Sequence, residues 1–362
     1  MKYIDEFRDR EKAQHLVQQI HQIENHRSLT FMEVCGTHSV AIARYGIQKL
    51  LEPNVRLISG PGCPVCVTPL SIIDQAIGLA EQKDVIIMTF GDMLKVPGSK
   101  KSLEQSRNAG SDVRVVESCM DALHLAQKEP LKQIVFIGIG FETTAPTVAV
   151  SIMNAQKNGA SNFSVLCAHK TMPYALECLC KQGVEIDGFL CPGHVSAIIG
   201  TKPYQSIVRK FKKACVIAGF EPLDILASVH SLIQQVMSQT YRVENQYNRV
   251  VQQDGNQKAQ EAIQTVFEPV DSEWRGLGVI PNSGLKIKSE YVDFDAEKKF
   301  DLQIQITEEQ HGCMCGQVLQ GQIKPQQCLL FGKQCTPDSP VGACMVSREG
   351  ACHAVYRFGR ET

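Results

Sequence analysis

Apolar residues along the first two thirds of the chain fall into short runs. Most runs are followed by a segment in which they recur every third or fourth position. The runs at 29–34, 55–59, 85–90, 113–117, 134–139, 163–169, 188–191 and 215–218 are strand-sized and nearly continuous, as expected for strands buried on both faces. Between most of them lie amphipathic stretches of helical length, for example 70–82, 146–158 and 173–182. Strands separated by helices predict βαβ units with helix-covered parallel sheets. The expected fold class is therefore α/β, with two parallel-sheet lobes facing a cleft and a small cysteine-rich C-terminal domain.

The ends of the chain read differently. Residues 5–26 form a polar helical pattern with a narrow apolar stripe at Leu16, Ile20 and Ile23, suited to packing on the outside of the body. Residues 223–239 predict a long helix. The 240–300 stretch is more polar and places the single tryptophan, Trp274, beside a glycine-rich loop at 275–284. A cysteine-rich tail begins near Gly312. The expected division is an N-terminal helix at 1–27, a first lobe at 28–125, a second at 126–240 and a C-terminal region at 241–362. Seams are expected near 98–112 and 128–132. No fixed-period repeat or low-complexity tract is visible.

Composition narrows the function. The 362 residues are 43% hydrophobic and 21% charged with a net charge of -1, the balance of a globular chain with a real core. Nothing in that balance points to nucleic acid or to a membrane surface. Residues 1–27 are charged and lack the apolar stretch of a signal peptide, and runs such as 85–88 are too short to span a bilayer. Fifteen cysteines in an unexported chain imply a reducing, cytoplasmic setting, where thiols serve metals or redox chemistry more than a disulfide framework.

The unusual loops come just after predicted strands. They are Cys35-Gly36-Thr37-His38, 60–66 (GPGCPVC), Gly91-Asp92-Met93, 140–146, His169-Lys170-Thr171, Cys191-Pro192-Gly193-His194 and Gly219-Phe220-Glu221-Pro222. In open parallel sheets the loops at the carboxyl ends of the strands share a rim, where ligands bind. That places Cys35, His38, Cys63, Cys66, Glu142, His169, His194 and Glu221 on such rims.

Cys63 and Cys66 form a CxxC, able to close a small disulfide ring or chelate one metal; a buried inert pair is the plain alternative. Thr68 and Pro69 are expected to start the following helix as N-cap and first residue. Cys35 and His38 can share a metal or form an activated thiol, or serve only as cap and core. Glu142-Thr143-Thr144 follows a glycine pair but lacks the full dinucleotide fingerprint; its amides and hydroxyls suit an anion or a simple N-cap. His194 is a candidate ligand or acid–base group.

Six cysteines crowd the last fifty residues: Cys313, Cys315, Cys328, Cys335, Cys344 and Cys352. Cys315, Cys328, Cys335 and Cys352 are a thiolate set suited to an iron–sulfur cluster, with Cys313 and Cys344 as alternates. Zinc is the rival, although paired short knuckles are missing. Cys119, Cys167, Cys178, Cys180 and Cys215 lie in strand- or helix-like segments and are assigned to the core.

Five ordered segments, 33–38 (EVCGTH), 60–69 (GPGCPVCVTP), 140–147 (GFETTAPT), 191–196 (CPGHVS) and 328–352, resemble the hydrogenase maturation HypD family. The likeness runs from about residue 28 to the C-terminus. Ser39 stands where threonine is expected and keeps the hydroxyl. The resemblance implies two α/β lobes and a domain carrying a [4Fe-4S] cluster. It also implies a scaffold, shared with a HypC-type chaperone, on which the Fe(CN)2CO unit of [NiFe] hydrogenases is built, with HypE delivering cyanide. Cys35 would hold that iron with His38 nearby, Cys63 and Cys66 would be a redox-active pair, and Glu142 and His194 would line the cleft. A stand-alone iron–sulfur disulfide reductase is the alternative.

Overall fold

The computed structural model describes residues 5–23, 27–302 and 312–359. All eight expected strands form: β1 (Leu29–Glu33), β2 (Val55–Ser59), β3 (Val85–Thr89), β4 (Val113–Val115), β5 (Gln133–Gly138), β6 (Phe163–Cys167), β7 (Gly188–Pro192) and β8 (Ala214–Ala218). Three more follow: β9 (Val243–Asn245), β10 (Phe267–Trp274) and β11 (Gly278–Ile287). The long helix spans Pro222–Met237, with Pro222 in its first turn and Leu223, Leu226, Val229 and Ile233 buried along one face.

The strands make two parallel sheets and a hairpin. The first sheet runs β2-β1-β7-β8-β9 and the second β4-β3-β5-β6. Sheet membership does not follow the expected division at 125/126. The chain builds β1 and β2, leaves to make the whole second sheet, and returns beside β1 with β7, so the first sheet takes strands from both expected lobes. The seams expected near 98–112 and 128–132 both lie within the second sheet's connections. Local apolar patterning specifies a strand but not its neighbour, which is set by where long crossovers return.

Two local expectations also change. The stretch expected as a glycine-rich loop at 275–284 is a tight turn leading into β11, which pairs antiparallel with β10. Its glycines interrupted the apolar pattern of a strand in which Ile280, Leu285 and Ile287 are buried. Thr68 does not cap the next helix. Its hydroxyl donates back to Pro64 O at 2.8 Å, closing the short Pro64–Val67 helix, and the next helix begins at Leu70.

At the N-terminus the helix covers Arg10–Gln22, capped by Asp9, and buries Ile20 against the body. Residues 1–4 and 24–26 of the expected N-terminal element lie outside the described residues. Among the described residues no helix is long and apolar enough to cross a membrane.

Candidate metal and thiol centre

The first sheet's carboxyl rim gathers four of the unusual loops, those after β1, β2, β7 and β8. Cys35 follows β1 and caps the helix Gly36–Arg44 from an extended conformation. Gly62 packs directly on it: a Cβ at Gly62 would lie 2.3 Å from Cys35 N, and Gly36 N–H donates to Gly62 O at 3.0 Å. This close approach explains why GPGCPVC needs its second glycine. The CGTH and CxxC loops are therefore one packed unit.

Cys35 is 8% exposed. Burial pushes its thiol up to about 12, with the Glu349 carboxylate adding to the shift. Alone it is a protonated thiol; a cation bound there would displace the proton. Beside it, Glu33 is buried and accepts from Cys35 N–H at 3.1 Å and from the Ser39 hydroxyl. Burial raises its carboxyl to about 7.

His38 is fully buried one turn along the helix. Its Nε2 lies 3.0 Å from Gly219 O. A carbonyl only accepts, so Nε2 carries the proton and Nδ1 keeps a bare lone pair. Nδ1 has no hydrogen-bond partner among the described residues. Burial lowers His38 to about 4, so the ring is neutral near pH 7. His194, exposed in the helix Gly193–Ile199, stacks on Phe220 with ring centroids 4.0 Å apart.

Cys63 and Cys66 are joined as a disulfide and buried. Cys66 N–H donates to Cys63 Sγ at 3.2 Å, and Cys66 Sγ lies 3.9 Å from Ala343 O. Ala343 opens the short helix that carries Cys344. The tail thus lies directly on the CxxC.

The tail returns to Cys35 through a second contact. Thr37 Oγ1 donates to Glu349 Oε1 at 2.8 Å, and a Cβ at Gly36 would meet Glu349 O at 2.5 Å. Ser347 Oγ donates to Asp92 Oδ2 at 2.8 Å, tying the same loop to the residues after β3.

All six tail cysteines, Cys313, Cys315, Cys328, Cys335, Cys344 and Cys352, line one pocket with Leu330, Phe331 and Met345. Hydrogen bonds from the Cys313 and Cys344 thiols, helped by the Arg275 charge, hold Cys315 well below the usual thiol range. Cys344 is raised correspondingly as it donates toward Cys315. Among the described residues no three His, Cys, Asp or Glu side chains close on a single point as one metal ion would need. A pocket walled by sulfur and apolar side chains, with one thiol already driven toward thiolate, is a donor set that fits an iron–sulfur cluster. The expected four and the two alternates are all present, and the geometry does not single out four.

Glu142 sits on the other sheet's rim. It is buried, Oε1 accepts from Met172 N at 3.0 Å, and burial raises its carboxyl to about 7. His169 and Lys170 are buried there too, under the hairpin: Leu285 N–H donates to His169 O at 3.1 Å and Thr171 N–H to Ser283 O at 2.8 Å. Of the cysteines assigned to the core, Cys119 and Cys215 are buried and Cys167, Cys178 and Cys180 half-buried.

Sequence reasoning passed over Glu33, Thr37, Phe220 and Glu349 as site residues. Each lies inside a motif or loop already singled out, so the signal was position beside a reactive thiol or histidine.

The chain matches the family described as "Hydrogenase formation hypA family" (HypD) over residues 11–359. It belongs to the HypD family. Among curated HypD relatives, it is 47% identical to "Hydrogenase maturation factor HypD2" of Bradyrhizobium diazoefficiens, with 99% of this chain and 97% of the relative covered. It is 46% identical to "Hydrogenase maturation factor HypD" of Escherichia coli K12, covering 100% of this chain and 99% of that one. The Cupriavidus necator HypD is 46% identical over 99% and 98%.

Proposed function

We propose that this HypD-family chain is a hydrogenase maturation factor: a scaffold that, with a HypC-type chaperone and a HypE-type cyanide donor, holds iron while its Fe(CN)2CO ligand set is assembled. The observation that carries this reading is the packing of Cys35, the Cys63–Cys66 disulfide and the cysteine tail against one another at a single rim. The iron is the cargo, and Cys35 is its thiolate on this chain. A soft thiolate suits iron bearing strong-field diatomic ligands.

Four of the six tail thiols would hold a [4Fe-4S] cluster, which when bound supplies one-electron chemistry. The chain's own residues do the rest. The Gly62 contact fixes Cys35, while Glu33 pins its backbone N–H and Thr37 and Glu349 fasten the tail loop over it. His38 offers a neutral imidazole with a free Nδ1 as proton acceptor. The CxxC can store two electrons as thiols.

Anaerobic purification of the full chain with its chaperone tests the reading. It predicts infrared bands of iron-bound cyanide and carbonyl in the complex; a complex with iron but no such bands contradicts it. A stand-alone disulfide reductase instead requires turnover of a small disulfide without any chaperone. The burial of both CxxC sulfurs argues against free access for such substrates. Iron and inorganic sulfide in anaerobic protein separate a cluster from zinc.

A further inference from the structure

We propose that Phe220 is a positioning residue of the Cys35 site, and that the N-terminal segment holds it in place as a strap. The proposal rests on reading the Cys35 rim as the functional site. Phe220 stands between the two histidines of that rim: its ring centroid is 4.0 Å from His194 and 4.7 Å from His38, at interplanar angles of 27° and 32°. The residue before it, Gly219, supplies the carbonyl that fixes the His38 tautomer. One short loop thus sets the ring plane of His38 and which of its nitrogens is bare.

That loop is held from the far side. Phe220 meets Tyr247 edge-on at 5.8 Å. Arg249 lies over Tyr247 at 4.5 Å and over Phe7 at 3.8 Å, and its guanidinium forks onto buried Asp224 at 2.7 and 2.6 Å. Asp224 Oδ2 in turn accepts from Glu221 N–H at 3.1 Å. The Glu221 carboxylate takes a two-pronged contact from Arg8, one arm at 2.9 Å from Oε1. Phe7 and Arg8 belong to the N-terminal segment, which is anchored to the body by its helix Arg10–Gln22. A continuous series of ring and ion contacts therefore runs from Phe7 and Arg8 to His38. Planar, forked and stacked contacts of this kind fix orientation as well as distance.

The test reads His38 directly in the full chain without iron. Long-range proton–nitrogen correlation of ring-labelled histidines reports the tautomer, with His38→Gln assigning the signal. Wild type should show a single Nε2–H pattern. Phe220→Leu, which keeps apolar bulk but removes the ring, should lose it in favour of mixed tautomers. Arg8→Ala, at a half-exposed position that leaves the core intact, should shift it in the same direction by less. Phe220→Tyr should restore the wild-type pattern. An unchanged His38 pattern in Phe220→Leu, or in Arg8→Ala should the first variant fail to fold, overturns the proposal. Because no iron is involved, failure here is distinct from failure of the assembly reading, which shows as missing cyanide and carbonyl bands in the wild-type complex.

Discussion

The two parallel sheets present comparable rims and opposite fates. On the first, a cysteine-bearing tail covers the loops after β1 and β2 and leaves Cys35 at 8% exposure, while His194 after β7 stays on the surface. On the second, the loops after β5 and β6 are closed by the β10–β11 hairpin, with Glu142, His169 and Lys170 all buried. Both rims carry histidine, carboxylate and thiol. What differs is the cover: thiol chemistry on one side, packed hydrocarbon and backbone hydrogen bonds on the other. A polar residue after a strand becomes a site candidate only when its cover leaves something for it to act on.

The strongest way to break this contrast is to unseal the second rim. Trp274 is fully buried, stacks on Phe141 at 5.9 Å and donates its Nε1–H to Ser283 Oγ at 2.7 Å. Trp274→Ala should cost about 3–5 kcal/mol in denaturant unfolding and speed alkylation of Cys167. A loss below about 1 kcal/mol would mean the hairpin is not the seal.

The first rim is sharpened by Gly62→Ala. The added methyl meets the Cys35 backbone, so we expect about 1–3 kcal/mol of destabilisation and faster alkylation of Cys35 as the two loops part. Unchanged Cys35 labelling would show that the loops are not one unit.

Buried titrating groups probe the sealed rim in another way. Glu142, raised to about 7, stays protonated in the fold where the unfolded chain has already ionised. Its contribution is present at low pH and is lost as pH rises from about 4.5 to about 7, at roughly 1.4 kcal/mol per pH unit. His169, lowered to about 3, has the opposite slope, and its stability is lost as pH falls below about 6.5. The wild-type minus Glu142→Gln stability difference should therefore decline between pH 5 and 7. A flat difference would place Glu142 in contact with solvent.

The smallest effect serves as a control. Ser102 caps the helix Leu103–Asn108, accepting from Gln105 N–H at 3.3 Å, away from both rims. Ser102→Ala should cost about 1 kcal/mol in thermal unfolding and leave labelling of Cys35 and Cys167 unchanged.

The sequence made much of this legible. Continuous runs such as 85–90 and 134–139 marked β3 and β5 because a strand buried on both faces has no polar side. The positions of Cys35, Cys63, Cys66 and His194 at strand ends were readable from the same pattern. Sheet order was not, since the return of β7 beside β1 depends on a crossover of more than a hundred residues. The hairpin escaped because β11 carries no regular apolar alternation: Gly278, Pro281, Asn282 and Gly284 interrupt it and its pairing with β10 shifts register. Glu349 escaped notice as a site residue because its contact with Thr37, beside Cys35, joins distant parts of the chain, whereas Glu33 sits two residues before Cys35 and was legible only as the thiol's neighbour.

The most direct measurement compares Cys35→Ala with Cys167→Ala, each purified anaerobically with the chaperone and examined by infrared spectroscopy. Cys167 has its own histidine neighbour, His169 Nδ1 at 3.5 Å, but lies on the sealed rim. The account predicts that Cys35→Ala loses the cyanide and carbonyl bands while Cys167→Ala keeps them. Bands that persist without Cys35 and vanish without Cys167 would contradict it.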